Sequence, residues 1–148
     1  MKKLIILVTI FALILYYLVG SYAYFEYIKP SYIGAVIPCH VRSLEEQNKI
    51  YANYGYRVAG FYNSDKDEIK VVEYKNQTDV QGTAKPIEEQ QDVDIGTLKH
   101  ELIHRNQAKR GMDISCRDIN SRFLSEVEAY LGQNLNDKIY EIRYGKIN

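Results

Sequence analysis

The sequence predicts an α+β chain in two parts. An N-terminal helix long enough to cross a bilayer comes first. A compact domain with a small antiparallel sheet and two packed helices follows. Three observations lead there. A lysine pair opens the chain and precedes an uncharged run through Phe25. Two strand-like stretches, 57–62 and 68–74, flank a turn of Asn, Ser and Asp. Two amphipathic stretches, 95–110 and 119–134, come next, and the first contains His100-Glu101-Leu102-Ile103-His104.

The first element is read from charge and length. Between Leu4 and Val19 the only polar side chains are Thr9 and two tyrosines, and Glu26 is the first acid. The uncharged run covers about 22 residues, enough for a hydrocarbon layer of ~30 Å. Signal-peptide apolar regions stop at about 7–15 residues. Residues 1–28 are therefore expected to form an uncleaved signal anchor and juxtamembrane segment. Tyr16, Tyr17, Tyr22, Tyr24, Phe25 and Tyr27 would supply its interfacial aromatics. Lys2 and Lys3 favour a cytoplasmic N-terminus, which puts the domain at 29–148 outside. Ser21-Tyr22-Ala23 also offers small residues at cleavage spacing, and a chain cut there is secreted.

Composition narrows the partners. Lys plus Arg and Asp plus Glu number 19 each, so the formal net charge is zero and no electrostatic case for nucleic acid exists. Fourteen tyrosines favour surfaces and clefts, where an apolar ring and a hydroxyl are both useful. Cys39 and Cys116 are the only cysteines. In an exported domain they fit one disulfide, with two unpaired thiols as the alternative. Neither belongs to a C-x-x-C pair, which argues against a cysteine zinc site.

Residues 26–42 read as a linker, with a short strand at 33–37 before Pro38. Ser43-Leu44-Glu45-Glu46 is a capping box, so a helix starts there, with Leu44, Ile50, Tyr51 and Tyr54 as its apolar stripe and Gly55 as its stop. The stretches 57–62 and 68–74 form a β-hairpin around Asn63-Ser64-Asp65-Lys66-Asp67. Residues 75–93 read as a polar loop. Asp92 or Asp94 caps the next helix, which runs from about Ile95 to Arg110 and stops at Gly111. Leu98, Leu102 and Ile103 are its expected core side. The last helix is expected over 119–134, lined by Ile119, Phe123, Val127, Tyr130 and Leu131. The tail after Gly145 reads as loose.

The chemistry lies in the H-E-x-x-H string. On a helix, positions i and i+4 share one face about one turn apart, so His100 and His104 can reach one ion. Zinc takes imidazole nitrogens at roughly 2.0–2.1 Å. Glu101 is one residue round, placed to take a proton from water without binding the ion. A catalytic zinc wants three protein ligands and an open position. A metzincin would continue as H-E-x-x-H-x-x-G-x-x-H, but Gln107 and Arg110 stand where the glycine and third histidine would be, which excludes that branch. His40 lies sixty residues before His100 and reads as a surface or structural residue. An acid from the next helix is the better third donor. Glu126 and Glu128 lie about equally far from the apolar stripe, so periodicity does not choose between them.

At these residues the chain resembles zincin metallopeptidases of the gluzincin branch. Glu126-Val127-Glu128-Ala129-Tyr130 is similar to their E-x-E-A setting, 22 positions beyond His104. The resemblance implies zinc (Zn2+) held by His100, His104 and Glu126, with Glu101 as general base. Many members carry Asp four residues after the ligand, where Tyr130 stands here. Ala59-Gly60-Phe61-Tyr62 and Ile69-Lys70-Val71 resemble the strand-turn-strand before the family's motif helix, whose edge strand pairs with extended substrate. The resemblance spans roughly residues 57–131. It implies a zincin-like metallopeptidase domain over 29–148, acting on a peptide or protein substrate. Tyr130, Tyr140 and Tyr144 are the candidate oxyanion donors. The rival readings are a membrane-tethered binding or assembly protein with a structural or inactive metal site, and a secreted hydrolase of wall peptides.

Overall fold

The computed structural model describes residues 2–37, 43–74, 82–86, 94–111 and 118–147. Cys39, Cys116, His40 and Asp92 lie outside the described residues, and with them the expected disulfide.

Helix α1 (Lys2–Ala23) passes through a π-helical turn (Tyr24–Ile28) directly into α2 (Lys29–Val36). The stretch from Ile5 to Val36 is long and apolar enough to cross a membrane, or to serve as a signal sequence. The side chains described in α1 are almost all exposed, with Tyr16 at 80%. The π turn has a local cause. Pro30 offers no N–H, and its ring crowds the carbonyl four residues back. The wider turn relieves this, with the Lys29 N–H donating five residues back to the Tyr24 carbonyl. The Ser31 hydroxyl then donates to the Tyr27 carbonyl at 2.6 Å.

Helical backbone to Val36 corrects two expectations, the linker from 26 and the strand at 33–37. The β-branched residues there suggested a strand. Burial decides otherwise, because Pro30, Ser31, Ile33 and Ala35 are covered when α2 lies along the later helix α5. Tertiary packing of this kind overrides weak local propensity.

Helix α3 (Leu44–Ala52) begins where expected, with the Ser43 hydroxyl accepting from the Glu46 N–H at 3.1 Å. Its stripe is only half-buried, and Tyr54 is exposed. The buried residue is Asn48, whose side-chain oxygen accepts from the Val58 N–H (3.0 Å) and the Tyr74 hydroxyl (2.8 Å).

The hairpin is present as β1 (Gly60–Asn63) and β2 (Glu68–Glu73), antiparallel with Gly60 opposite Val71 and Asn63 opposite Glu68. A third strand, β3 (Thr83–Pro86), pairs antiparallel with the other side of β2 and corrects part of the 75–93 loop. Polar composition concealed it. An edge strand tolerates such residues, including a proline. At the hairpin tip, Asp67 accepts a bidentate pair from Arg105 of the next helix at 2.6 and 2.7 Å. That clamp holds β1 along the helix.

Helix α4 (Ile95–Lys109) is capped by Asp94, whose carboxylate accepts from the Thr97 N–H, and it is stopped by Gly111 at φ +76°. Helix α5 (Ile119–Gln133) is capped by Asp118. A further helix, α6 (Asp137–Tyr144), was not expected from the sequence, since eight residues hold too little periodicity to announce it. Buried Lys99 donates to the Leu135 carbonyl (2.8 Å) and pairs with Asp137 (2.6 Å), tying α4 to the start of α6. Ile147 packs on the core, so the tail is not loose throughout.

The face of α5 turned to α4 also departs from expectation. Ser125, Ala129 and Gly132 are buried, whereas Ile119 and Leu131 are exposed. Small residues at i, i+4 and i+7 let the two helices approach closely. A Cβ at position 132 would collide with the Ile103 side chain. Ile103, Ala129 and Tyr140 form the core, with Leu102, Leu135, Tyr144 and Ile147 around it. Leu98 and Leu102 are only half-buried. The buried face of α4 is mainly polar: Lys99, His100, Glu101, His104 and Gln107.

Candidate metal centre

That polar face is unusual for a helix at the centre of a small domain. Buried ionisable groups are costly unless they are paired. Here they converge. His100 and His104 present their Nε2 atoms 3.1 Å apart. The Glu126 carboxylate meets both, at 3.5 Å from His100 Nε2 and 3.6 Å from His104 Nε2. Donors about 2.0–2.1 Å from a tetrahedral zinc stand roughly 3.3 Å from one another. The three observed separations bracket that value, so this donor set fits zinc. It is the His/Cys/Asp/Glu group of metal-holding size among the described residues.

The imidazoles are oriented from behind. His100 Nδ1 donates to the Gln133 side-chain oxygen at 3.0 Å, and His104 Nδ1 donates to the Gln107 oxygen at 2.9 Å. With each Nδ1 protonated, each Nε2 lone pair points at the common centre. Gln107 is fully buried. Its Nε2 donates to the Ser125 carbonyl (3.1 Å) and to Glu128 (2.9 Å). Glu128 also accepts from Arg110 (3.3 Å) and the Tyr144 hydroxyl (3.2 Å). The structure thus separates two acids that periodicity left equivalent. Glu126 faces the imidazoles, and Glu128 backs Gln107.

Of the three tyrosines considered as oxyanion donors, two are engaged elsewhere. Tyr140 donates to the Lys99 carbonyl at 3.3 Å, and Tyr144 donates to Glu128. Tyr130 lies at the centre, its ring edge-on to His100 with centroids 4.5 Å apart. Burial, then the Glu126 and Glu101 charges, push its hydroxyl far up. Tyr51 of α3 is affected by the same groups: burial first, then Glu126, Tyr130 and Glu101.

Glu101 is buried beside this group and is not part of it. Burial raises its pKa, and the two imidazoles partly offset the rise. Glu126 adds to it, and a hydrogen bond from the Tyr62 backbone N–H opposes it. That bond comes from β1, an edge strand. Gly60 makes the approach possible, since a Cβ there would lie 3.3 Å from Glu101 Cγ and 2.9 Å from Thr97 Cγ2.

Without metal the centre holds its own ion pair. Two facing Nε2 atoms hydrogen-bond only if one carries a proton. Burial disfavours the imidazolium of His104, but the Glu126 carboxylate outweighs it and lifts His104 to about 9. Burial likewise opposes ionised Glu126, and the His104 charge overcomes it and holds the carboxyl far down.

A pH dependence follows. The Glu126 contribution to metal-free stability is complete above its unfolded value of 4.5 and fades as pH falls further. The His104 contribution is complete below its unfolded value of 6.5 and is lost as pH rises through about 9. Chelator-treated full chain in detergent should therefore unfold at higher urea at pH 5.5 than at pH 9.5. Equal midpoints would contradict the pairing. Zinc affinity should run the other way and weaken as pH falls, because the ion displaces that proton.

No protein-family model matches the chain, and comparison with curated proteins and with solved structures returned no match. Sequence reading missed Gln107, Gln133, Tyr51 and Gly34. Two of these carried a signal. Gln107 is one turn after His104, and Gln133 is two turns after Glu126, so each shares a helix face with one of the three donors. Gln107→Leu, which removes the acceptor behind His104, should lower zinc affinity about 10- to 100-fold by competition titration. Unchanged affinity would show that this orientation is dispensable.

Proposed function

We propose that the chain is a zinc-dependent peptidase of the zincin type, gluzincin branch, carried at or across a membrane by α1. The observation that carries this reading is the convergence of His100, His104 and Glu126 donor atoms within 4.8 Å, with buried Glu101 alongside. His100, His104 and Glu126 would hold the ion. Zinc there would lower the pKa of water toward about 7 and polarise the scissile carbonyl.

The rest falls to the chain's own residues. Gln107 and Gln133 keep both imidazoles aimed. Glu101, with its pKa raised by burial, takes a proton as the water oxygen adds to the carbonyl carbon. It returns that proton to the nitrogen as the C–N bond breaks, leaving a carboxylic acid and an amine. Tyr130 and Tyr51 are hydroxyl donors available to the developing oxyanion. Among the described residues β1 is an edge strand, and its outer edge, where the Tyr62 N–H meets Glu101, suits an extended peptide lying along it as an added strand.

Metal analysis of the full chain in detergent tests the reading. About one equivalent of zinc is expected, and His104→Ala should lose it. A native chain that retains no zinc after equilibration would overturn the proposal. Zinc without hydrolysis of any unfolded protein would favour a tethered binding protein instead.

A further inference from the structure

We propose that this centre works at the membrane surface, on the juxtamembrane stretch of a membrane-inserted polypeptide. The proposal rests on the peptidase reading and on α1 staying in the bilayer. It adds where the scissile bond must lie. The first support is continuity. Helical backbone runs without a break from Lys2 to Val36, so no flexible linker separates the apolar run from α2.

The second is the grip of the domain on that helix. Both α2 and the π turn pack on α5, the helix that bears Glu126. Pro30, Ser31, Ile33 and Ala35 are buried in the contact. A domain packed on the π turn as well as on α2 is not carried on a flexible tether. Tyr22, Tyr24 and Phe25 remain exposed around that junction, as an interfacial belt requires.

The third is the height of the site. A Cβ at Gly34 would lie 2.5 Å from Glu126 Cδ, so the α2 backbone touches the carboxylate that completes the triad. Twenty residues from Ile5 reach Tyr24, which spans about 30 Å of hydrocarbon. Gly34 is ten residues further, roughly 15 Å along the axis, less any tilt. The headgroup layer takes up about 5–8 Å of that rise. Extended chain covers ~3.3 Å per residue, so a substrate's scissile bond falls about three to six residues beyond its own span. The reaction is the same hydrolysis. Water is consumed, one C–N bond breaks, and one fragment stays in the bilayer.

Two measurements on the full chain in lipid nanodiscs test this. Cu2+ loaded into the triad, with nitroxide on lipid headgroups, should give pulsed-EPR separations of about 15–25 Å, and His104→Ala should abolish the Cu2+ signal. Bound Cu2+ more than about 40 Å from the headgroups overturns the surface placement and leaves the metal centre intact. A native chain that binds no Cu2+ overturns both.

The second measurement uses a single-span reporter carrying one cleavable peptide either five or twenty-five residues from its span. Cleavage should be about tenfold faster at five, as effective concentration falls with tether length. Ten Gly/Ser residues inserted between Ile28 and Lys29 should erase that preference while leaving soluble-peptide cleavage unchanged. Equal rates for both reporters with the native chain overturn the proposal, as does a mature chain whose N-terminus by mass lies beyond Ala23.

Discussion

Glu101→Gln is expected to lower peptide hydrolysis by about 10²- to 10⁴-fold while leaving bound zinc and the folded state unchanged. The amide keeps the shape of the side chain and can still accept the Tyr62 N–H that holds it. It cannot take a proton from water. Metal should be retained because Glu101 lies outside the His100–His104–Glu126 group. Burial of a neutral amide also costs less than burial of a carboxylate, so stability should hold or rise slightly. The informative comparison is kcat against zinc content. Hydrolysis at the native rate would remove Glu101 from the mechanism, and loss of zinc would make it a structural part of the centre.

Gly34→Ala is the second large effect, and it falls on metal binding and on the metal-free ion pair together. The added methyl would meet the Glu126 carboxylate, with Cδ at 2.5 Å and the oxygens at 2.7 and 2.9 Å. The carboxylate is the far end of a flexible side chain, so it can turn aside. Turning aside gives up its pairing with His104, so the urea midpoint of the metal-free chain should fall as well. Zinc affinity should fall at least about tenfold, because the displaced oxygens no longer meet both imidazoles. Competition titration and urea unfolding read the two effects separately. Native zinc affinity in this variant would show that α2 does not bear on the centre.

Much of the fold was legible because its signals are local. Ser43, Asp94 and Gly111 act on their own backbone neighbours, and each helix boundary they announced is present. The hairpin likewise followed from turn chemistry at 63–67. What was misread depends on distant partners. Residues 33–37 have strand-like side chains, yet they are helical as far as Val36 because α5 covers them. Thr83–Pro86 has only Thr83 of the usual strand residues, yet it pairs with the second edge of β2. Leu131 and Ile119 suggested the buried face of α5, but close approach to α4 selected Ser125, Ala129 and Gly132.

The candidate site divides in the same way. Sequence by itself determined that His100, Glu101 and His104 share a helix, because four residues make about one turn whatever surrounds them. It also determined the apolar N-terminal helix, since length and the absence of charge are properties of the chain alone. Periodicity left Glu126 and Glu128 equivalent and the resemblance implied Glu126; only the tertiary structure places the Glu126 carboxylate against both imidazoles. The two acids differ by the direction they point once α5 lies against α4, and a small-residue face sets that rotation. It alone brought Gly34 of α2 against Glu126, a contact across more than ninety residues that no local pattern encodes.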